Sequence, residues 1–316
     1  MAMHSTSPIM GVDVSKAELV CSQDGAEPKV IENNARAIRA WLHALPAPVC
    51  FAVESTGVFH LELATRAHRL GHRVYLVDGY RLNRYRESIG GRAKTDASDA
   101  RLLARYLSRE IDQLRPWAPP PKGYLGLQQL LRRRAVLVKA RVSLSQSLRG
   151  VPELKGPLRT LERQLRRLEQ LINKRLALAL EHAGWSAQAA RCQAIEGIGP
   201  ITATALALVF HRGLFRTSDA FIAFIGLDVR VRDSGRSRGR RRLTKQGDPQ
   251  LRRLLYLAAM QAKRQPAWAA YYQRFIDRGL KPIQAFNVLA RKLARVAFSL
   301  MHHQTDYVPR IPCMET

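Results

Sequence analysis

The chain has 316 residues and carries 52 Lys and Arg against 25 Asp and Glu, a net charge of +27. This length allows two or three domains with a sizeable core, and the excess of cations favours a polyanionic partner, nucleic acid first. The longest apolar run, Ile201–Phe210, is far shorter than the ~20 residues of a bilayer-spanning helix, so we expect no membrane segment.

Neither the N-terminus nor the cysteines indicate secretion. Met1–Met10 contains no charged segment followed by an apolar one, so no secretory signal is predicted. The cysteines lie far apart and form no CxxC pair, which argues against a zinc site and against a disulfide frame. We therefore expect a reduced, cytoplasmic setting for the four thiols, Cys21, Cys50, Cys192 and Cys313.

The positive charge is distributed unevenly, which suggests three segments. Residues 1–115 have a net charge of +3, residues 116–190 of +10 and residues 191–316 of +14. A nearly neutral first third followed by a basic remainder predicts that chemistry and nucleic-acid binding are divided between segments. We expect a catalytic domain at 1–115, a helical arm at 116–190 and a C-terminal domain at 191–316.

The first segment alternates strands and helices. Three short β-branched runs open it and suit an antiparallel meander. Apolar spacing then predicts helix, strand, helix, strand and helix, with parallel pairing after the meander. That order is typical of an RNase H-like α/β fold. The predicted elements are Ile9–Val14, Glu18–Gln23, Lys29–Glu32, Ala35–Leu45, Val49–Glu54, Val58–Leu70, His72–Val77 and Asp96–Ser108.

Prolines at 116 and 119–121 predict a linker, and long helices follow it. Tyr124–Leu148 is amphipathic and rich in Arg. In Leu158–Leu176, leucine and isoleucine recur at alternating spacings of three and four, which predicts a coiled-coil seam. Because Pro152, Gly156 and Pro157 separate the two helices, we expect an antiparallel helical hairpin, either a structural arm or a dimerisation or RNA-binding surface.

The last third begins with a glycine-rich turn, Ile195–Pro200, before the apolar helix Ile201–Phe210. A GxG turn between helices resembles a helix-hairpin-helix, in which backbone N–H groups approach a phosphate, and Gly197 and Gly199 are then nucleic-acid contacts. An ordinary Gly-Pro turn explains the same residues equally well. Leu251–Ala262 and Pro282–Met301 are predicted helices, and Arg252 lies on the polar side of the first.

Four carboxylates in the first segment form a candidate metal site. Asp13 and Glu54 end strands that are neighbours in an RNase H-like sheet, and Asp96 and Asp99 share one face of a helix. Converging carboxylates repel unless a cation compensates them, and oxygen ligands favour Mg²⁺ or Mn²⁺, here two ions. Taken singly, each residue is better explained by a turn or by the first turn of a helix, but the four together, in this order, favour the metal site.

Ser234 lies beside a dense group of arginines. Asp233, Ser234 and Gly235 precede five arginines in seven residues, which suit phosphate oxygens. Ser234 is either a nucleophile that attacks phosphorus or a turn residue in a basic loop, and the residues alone favour the latter. The predicted phosphate contacts are Lys94, Arg236, Arg238, Arg240, Arg241, Arg242, Lys245 and Arg252.

These residues together resemble a known family. Arg92–Ala100, with the sequence RAKTDASDA, resembles the RxKTDxxDA motif of the DEDD transposases of bacterial insertion sequences, relatives of Piv-type DNA invertases. One position departs from the family: Val229 replaces the usual proline of the GLxP motif. Further stretches similar to that family are Gly11–Lys16, Val53–Gly57, Gly197–Pro200, Ser234–Gly235 and Gly247–Arg252.

The resemblance implies a RuvC-like first domain, a helical middle and a C-terminal domain that supplies Ser234 as nucleophile. It further implies a cytoplasmic, nucleoid-associated bacterial protein that acts on the DNA of element ends and targets with a guide RNA. It also implies a homodimer or homotetramer in which Ser234 acts with the metal site across subunits.

Three other functions fit parts of the sequence. A junction-resolving nuclease of RuvC type needs the carboxylates but not Ser234. An actin-like kinase also ends its first strand in Asp, but the sequence lacks the second Gly-rich phosphate loop of a duplicated domain. A non-catalytic nucleic-acid binder would need only the basic segments.

Overall fold

A computed structural model describes residues 7–23, 26–45, 48–55, 57–90, 95–230, 233–234, 237–239 and 241–309, with the backbone alone for 234, 237 and 238. The chain divides into two compact units, Met1–Pro119 and Pro120–Thr316. The first boundary lies among the prolines of the predicted linker. A further division of the second unit near residue 190 stays a prediction.

The first unit is built on a five-stranded mixed sheet in the order β3-β2-β1-β4-β5. β1 pairs antiparallel with β2 and parallel with β4; β2–β3 is antiparallel and β4–β5 parallel. This is the meander followed by parallel pairing that the sequence predicts for an RNase H-like fold. The strands are β1 Ile9–Val14, β2 Glu18–Gln23, β3 Lys29–Glu32, β4 Cys50–Glu54 and β5 Arg73–Val77.

Helices cover both faces of this sheet. Side chains alternate along a strand, so Val12 and Val14 join the core beneath the first two helices, whereas Gly11 and Asp13 face the opposite side. The last two helices pack on that opposite side with Cys50, Ala52 and Tyr75. The helices are α1 Ala35–His43, α2 Leu61–Arg69, α3 Gly79–Ser88 and α4 Asp96–Glu110.

Two helices of the first unit differ from the sequence prediction. α2 begins at Leu61 rather than at Val58, because residues 58–60 form a turn. α3 was not predicted: Leu82 is its buried residue, so it has little apolar periodicity. Its start depends instead on Asp78, whose side chain accepts a hydrogen bond from the Arg81 N–H at 3.2 Å.

The second unit is mainly helical, and its core lies among its C-terminal helices. Leu206, Phe221, Leu255, Leu289 and Leu293 are fully buried there. Within the described residues, no helix has both the length and the apolar character needed to cross a membrane. The helices are α5 Tyr124–Ser147, α6 Lys155–His182, α7 Ser186–Gln193, α8 Pro200–Arg212, α9 Ser218–Ile225, α10 Pro249–Ala262, α11 Pro266–Asp277 and α12 Pro282–His303.

α5 and α6 pair as an antiparallel hairpin. Arg134 donates to Glu169 at 2.5 Å and to Asn173 at 2.7 Å, and Arg141 donates to Glu169 at 3.4 Å. Two residues of the predicted heptad seam, Leu161 and Leu168, are 41% and 50% exposed. The pairing within the chain therefore leaves part of that seam exposed, although Leu176 at its end is buried, and a coiled coil through it stays a prediction.

Short strands interrupt the helices between α9 and α10. β6 Val229–Arg230 pairs with β9 Arg242–Leu243, and β7 Asp233–Ser234 pairs with β8 Ser237–Arg238. Both pairs are antiparallel, so the segment between Gly226 and Gly247 runs out and back. We call this segment the arm; it is distinct from the helical segment 116–190 described above.

Candidate active site

Asp13 and Glu54 lie side by side at the carboxyl ends of the two central strands. Val12 is in register with Val53 in the parallel pair, so Asp13 and Glu54 occupy the next step. Both belong to the face that α3 and α4 cover, since side chains alternate along each strand. The sequence prediction that these two carboxylates are neighbours agrees with this register.

α4 brings Asp96 and Asp99 to the same edge. A Cβ atom at Gly11 would overlap the carbonyl oxygen of Ala100 and lie 2.5 Å from the Ala104 nitrogen, so helix and strand touch through their backbones. This close approach carries the first turn of α4 to the end of β1. Asp96 is exposed there, whereas Asp99 is buried.

A capping box fixes where α4 begins. The Thr95 side chain accepts from the Ser98 N–H at 3.2 Å, and the Ser98 hydroxyl accepts from the Thr95 N–H at 2.9 Å. The two hydrogen bonds satisfy N–H groups that a helix start leaves unpaired. They also set the helical phase, which places Asp96 and Asp99 one turn apart on the same side.

The four carboxylates are close enough to interact electrostatically. Burial first, and then the charges of Asp96, Asp99 and Glu54, together raise the pKa of Asp13 from 3.8 to about 6. Among the described residues, no cation offsets this repulsion at Asp13 itself. The site therefore has a deficit of positive charge that a divalent ion would correct.

The donor set suits Mg²⁺ or Mn²⁺, but the described side chains do not form a complete set of metal ligands. Carboxylate oxygens at a half-buried edge are the ligands that these hard ions prefer. Among the described residues, no three His, Cys, Asp or Glu side chains are arranged to hold a metal ion. The residues fit such an ion by chemistry and charge, while the ligand geometry is incomplete.

Two residues that sequence reasoning missed restrain these carboxylates. Arg86 of α3 donates through Nη2 to Asp99 Oδ1 at 2.6 Å, and both side chains are nearly buried. A Cβ atom at Gly79 would overlap Oε1 of Glu54, so the glycine leaves the space that this carboxylate occupies. Gly79 directly follows the α3 cap Asp78, which is the one local sign that could have indicated it.

Ser234 is the last residue of β7 in the arm. Ser234 is in register with Ser237, so two residues, 235 and 236, connect β7 to β8. Asp233 accepts two hydrogen bonds from Arg241, at 2.7 and 2.9 Å, and one from the Gly239 N–H at 3.1 Å. The Arg241 guanidinium thus holds the two sides of the arm together, and its predicted phosphate contact stays a prediction.

Arg252 closes the base of the arm. Its Nη1 donates to the Gly247 carbonyl oxygen at 2.8 Å and to the Ile225 carbonyl oxygen at 3.2 Å. Nearby in the arm, the Thr244 hydroxyl donates to the Asp228 carboxylate, and the Thr244 N–H donates to the Asp228 carbonyl oxygen. Arg252 was predicted as a nucleic-acid contact, and its observed partners give it a structural role as well.

Of the remaining predicted phosphate contacts, the structure describes two. Arg242 and Lys245 are exposed on the arm, and Lys245 has a left-handed backbone with φ of 57°. Those that lie outside the described residues, or whose side chains do, are Lys94, Arg236, Arg238 and Arg240.

The two glycines of the predicted helix-hairpin-helix have different surroundings. Gly197 has φ of 85°, and a Cβ atom there would overlap the Ala258 carbonyl oxygen, so this glycine serves packing against α10. Gly199 is exposed, caps the N-terminus of α8 and has no neighbour that a Cβ would meet. Gly199 is therefore the glycine that a phosphate could approach.

Glu196, which directly precedes Gly197, was not predicted from the sequence to have a role. Its carboxylate accepts from the Trp268 indole at 3.0 Å and from the Tyr307 hydroxyl at 2.6 Å. The two bonds connect the glycine turn to α11 and to the chain beyond α12.

The mixed five-stranded sheet, with carboxylates at the ends of two adjacent strands, places the first unit in the class of RNase H-like α/β folds. Residues 10–157 match the IS110-type DEDD transposase model, described as a transposase, and residues 189–273 match the model of the transposase IS116/IS110/IS902 family. The two matches cover well over half of the chain. The chain belongs to this insertion-sequence transposase family.

Curated relatives agree with that assignment. The chain is 28% identical to a probable family 20 transposase of Pseudomonas aeruginosa, over 86% of this chain and 89% of the relative. It is 27% identical to the pilin gene-inverting protein of Moraxella lacunata, over 82% of each chain. It is 30% identical to an IS110 uncharacterized 43.6 kDa protein of Streptomyces coelicolor, over 51% of this chain and 39% of the relative.

Proposed function

We propose that this transposase cuts and rejoins DNA with a two-ion Mg²⁺ or Mn²⁺ site and a serine nucleophile. Asp13, Glu54, Asp96 and Asp99 hold the ions, and Ser234 forms a covalent bond to the DNA phosphate. The relatives named as a transposase and a gene-inverting protein support DNA rearrangement as the reaction class. The observation that carries the metal site is the electrostatic clustering of the four carboxylates around Asp13.

The bound ions would polarise the phosphodiester and stabilise the oxygens around phosphorus. The Ser234 hydroxyl loses its proton as its oxygen bonds to phosphorus. The bond from phosphorus to the leaving sugar oxygen breaks, and that oxygen takes up a proton to become a free hydroxyl. Attack by a hydroxyl of another DNA end reverses these changes, which rejoins the strand and restores Ser234.

The arm suits the serine step because Ser234 lies in one of its paired strands, β7. The Asp233–Arg241 ion pair and the β6–β9 pairing hold the two sides of the arm together next to the strand that carries Ser234. Arg242 and Lys245 lie exposed on the same arm and would contact phosphates, so affinity should fall steeply with salt.

The net charge of +27 supports binding of more than one nucleic-acid chain. We infer that a guide RNA accompanies the DNA, and that the active assembly is a homodimer or homotetramer. In that assembly Ser234 of one subunit acts with the carboxylates of another.

Trapping the covalent adduct tests this function. Purified chain, loaded with its native RNA, would be incubated with Mg²⁺ and end-labelled element DNA, and adducts resolved on denaturing gels. We expect wild type to form an adduct that Ser234→Ala abolishes. Ser237→Ala is the matched control, because Ser237 is the cross-strand partner of Ser234, and it should retain the adduct.

The same gels separate the alternatives. Cleavage by Ser234→Ala without any adduct would establish a junction-resolving nuclease instead. Cleavage that persists in Asp13→Asn would show that the carboxylates are not the metal site. Nucleic-acid binding without cleavage in any condition would leave the chain a binding protein.

A further inference from the structure

Arg86 places a positive charge inside the carboxylate cluster. Its Nη2 lies 2.6 Å from Asp99 Oδ1, and its Nη1 donates to Asn83 at 2.9 Å. The side chains of Arg86 and Asp99 are only 13% and 10% exposed. Removing one partner of an ion pair this well shielded from water costs more than at the surface, because the other charge is left buried and unpaired.

The packing of α3 on α4 fixes this arrangement. Tyr85 of α3 and Tyr106 of α4 meet edge to face with ring centroids 5.1 Å apart. Arg86 is the next residue along α3, so the contact holds its stem beside the first turn of α4. The guanidinium therefore reaches Asp99 from a fixed position.

The Arg86 contact and a metal ion compete for the same oxygen. Mg²⁺ needs carboxylate oxygens at about 2.0–2.1 Å, and a guanidinium already bound to Oδ1 blocks that oxygen and repels the ion.

We propose that Arg86 is a built-in counter-ion that holds Asp99 in the metal-free chain and releases it when divalent ions bind. The proposal rests on the metal site of the proposed function and adds a residue that regulates it. Arg86 stabilises the empty cluster, and the energy of its release lowers the affinity for the first ion. It is a positioning residue, because it acts on the ion through Asp99.

Metal binding to the full-length, nucleic-acid-free chain tests this role without measuring cleavage. Mn²⁺ affinity would be measured by calorimetry after EDTA treatment, with Tm recorded in EDTA and in Mn²⁺. We expect Arg86→Gln to lower Tm in EDTA, because Asp99 loses its partner, and to bind Mn²⁺ about tenfold more tightly. Arg84→Gln is the control: Arg84 lies on the same helix, 64% exposed and paired with Glu87, and should match wild type in both.

Three outcomes separate this proposal from the proposed function. Mn²⁺ binding by wild type that Arg86→Gln leaves unchanged or weakens would overturn the counter-ion role and keep the metal site. No Mn²⁺ binding by either protein would overturn the metal site itself, and the counter-ion role with it. Tighter binding with lower Tm in EDTA would support both.

A measurement on wild type covers the case in which Arg86→Gln does not fold. The Arg86 Nε–H resonance would be assigned by its loss in Arg86→Lys and followed as Mg²⁺ is added. Release from Asp99 should shift this resonance until the site is saturated. A resonance that stays in place while the carboxylate site fills would overturn the proposal.

Discussion

Gly11 of β1 lies directly against the α4 backbone at Ala100, with no room for a side chain between strand and helix. This contact, rather than any single ion pair, sets the distance between Asp13 and the first turn of α4. Backbone atoms cannot rotate away as a side chain can, so a larger residue must push the helix off the sheet.

Gly11→Ala should therefore damage both the fold and the site. We expect a loss of about 1–3 kcal/mol or more in the free energy of unfolding, as for overpacked cores, and weaker Mn²⁺ binding. Denaturant unfolding and calorimetry would measure the two effects. Gly126→Ala, an exposed position within α5 where a Cβ meets nothing, should keep wild-type Mn²⁺ affinity and gain slightly in stability. Unchanged stability in Gly11→Ala would contradict the backbone contact.

Gly79→Ala tests the space occupied by Glu54. The new methyl group would overlap a carboxylate oxygen at the end of a flexible side chain, so Glu54 should move while the fold survives. We expect Mn²⁺ affinity to fall about tenfold and Tm to change little. A packing defect in the core would instead lower Tm. Gly156→Ala, at a helical position with no neighbour, serves as the control. Wild-type Mn²⁺ affinity in Gly79→Ala would show that Glu54 does not bind the ion from this position.

Much of the first unit could be predicted because its sequence is locally consistent. Short β-branched runs, strand-end carboxylates and the apolar spacing of the helices each indicate structure within a few residues, and the order of elements then restricts the topology. Arg86, Gly79 and Arg252 could not be found in this way. Their roles depend on partners 13, 25 and up to 27 residues away in the sequence, which only the packed structure brings near.

The raised pKa of Asp13 predicts how stability depends on pH without metal. The folded chain holds this proton more tightly than the unfolded chain, with a pKa of about 6 against 3.8. The contribution of Asp13 to stability is thus complete below about pH 4 and is lost as the pH rises through about 6.

Asp13→Asn should remove the loss of stability that wild type shows as the pH rises. At neutral pH in EDTA we expect the variant to be about 1 kcal/mol more stable than wild type, a value reduced for solvent screening at a half-buried site. Mg²⁺ should stabilise wild type and leave the variant unchanged. Asp112→Asn, at an exposed position, is the control. Equal stability of wild type and Asp13→Asn from acid to neutral pH would show that Asp13 is not electrostatically strained.

Arg252 and Arg253 are adjacent on α10 but should behave differently. Arg252 bonds two carbonyl oxygens at the base of the arm, whereas Arg253 is exposed. Arg252→Met should cost about 1–3 kcal/mol of stability, because the Ile225 and Gly247 carbonyl oxygens lose a charged donor, and should reduce formation of the Ser234 adduct. Arg253→Met should keep stability and change only the salt dependence of DNA binding. Equal stability of the two variants would exclude the structural role of Arg252.

The glycine turn before α8 allows a last comparison between packing and binding. Gly197 touches the α10 backbone and has a positive φ, so Gly197→Ala should destabilise the second unit by about 1–3 kcal/mol. Gly199 is open and has an ordinary φ of −83°, so Gly199→Ala should fold normally.

If a phosphate approaches Gly199, the added methyl group should lower DNA affinity several-fold at low salt, measured by fluorescence anisotropy. The salt dependence of binding should keep its slope, because no cation is removed. Wild-type affinity in Gly199→Ala would mean that the turn only packs against α10, and the helix-hairpin-helix interpretation would then fail. A lower affinity with unchanged Tm would instead place the phosphate backbone at the N-terminus of α8, where the unpaired N–H groups and the helix dipole both favour an anion.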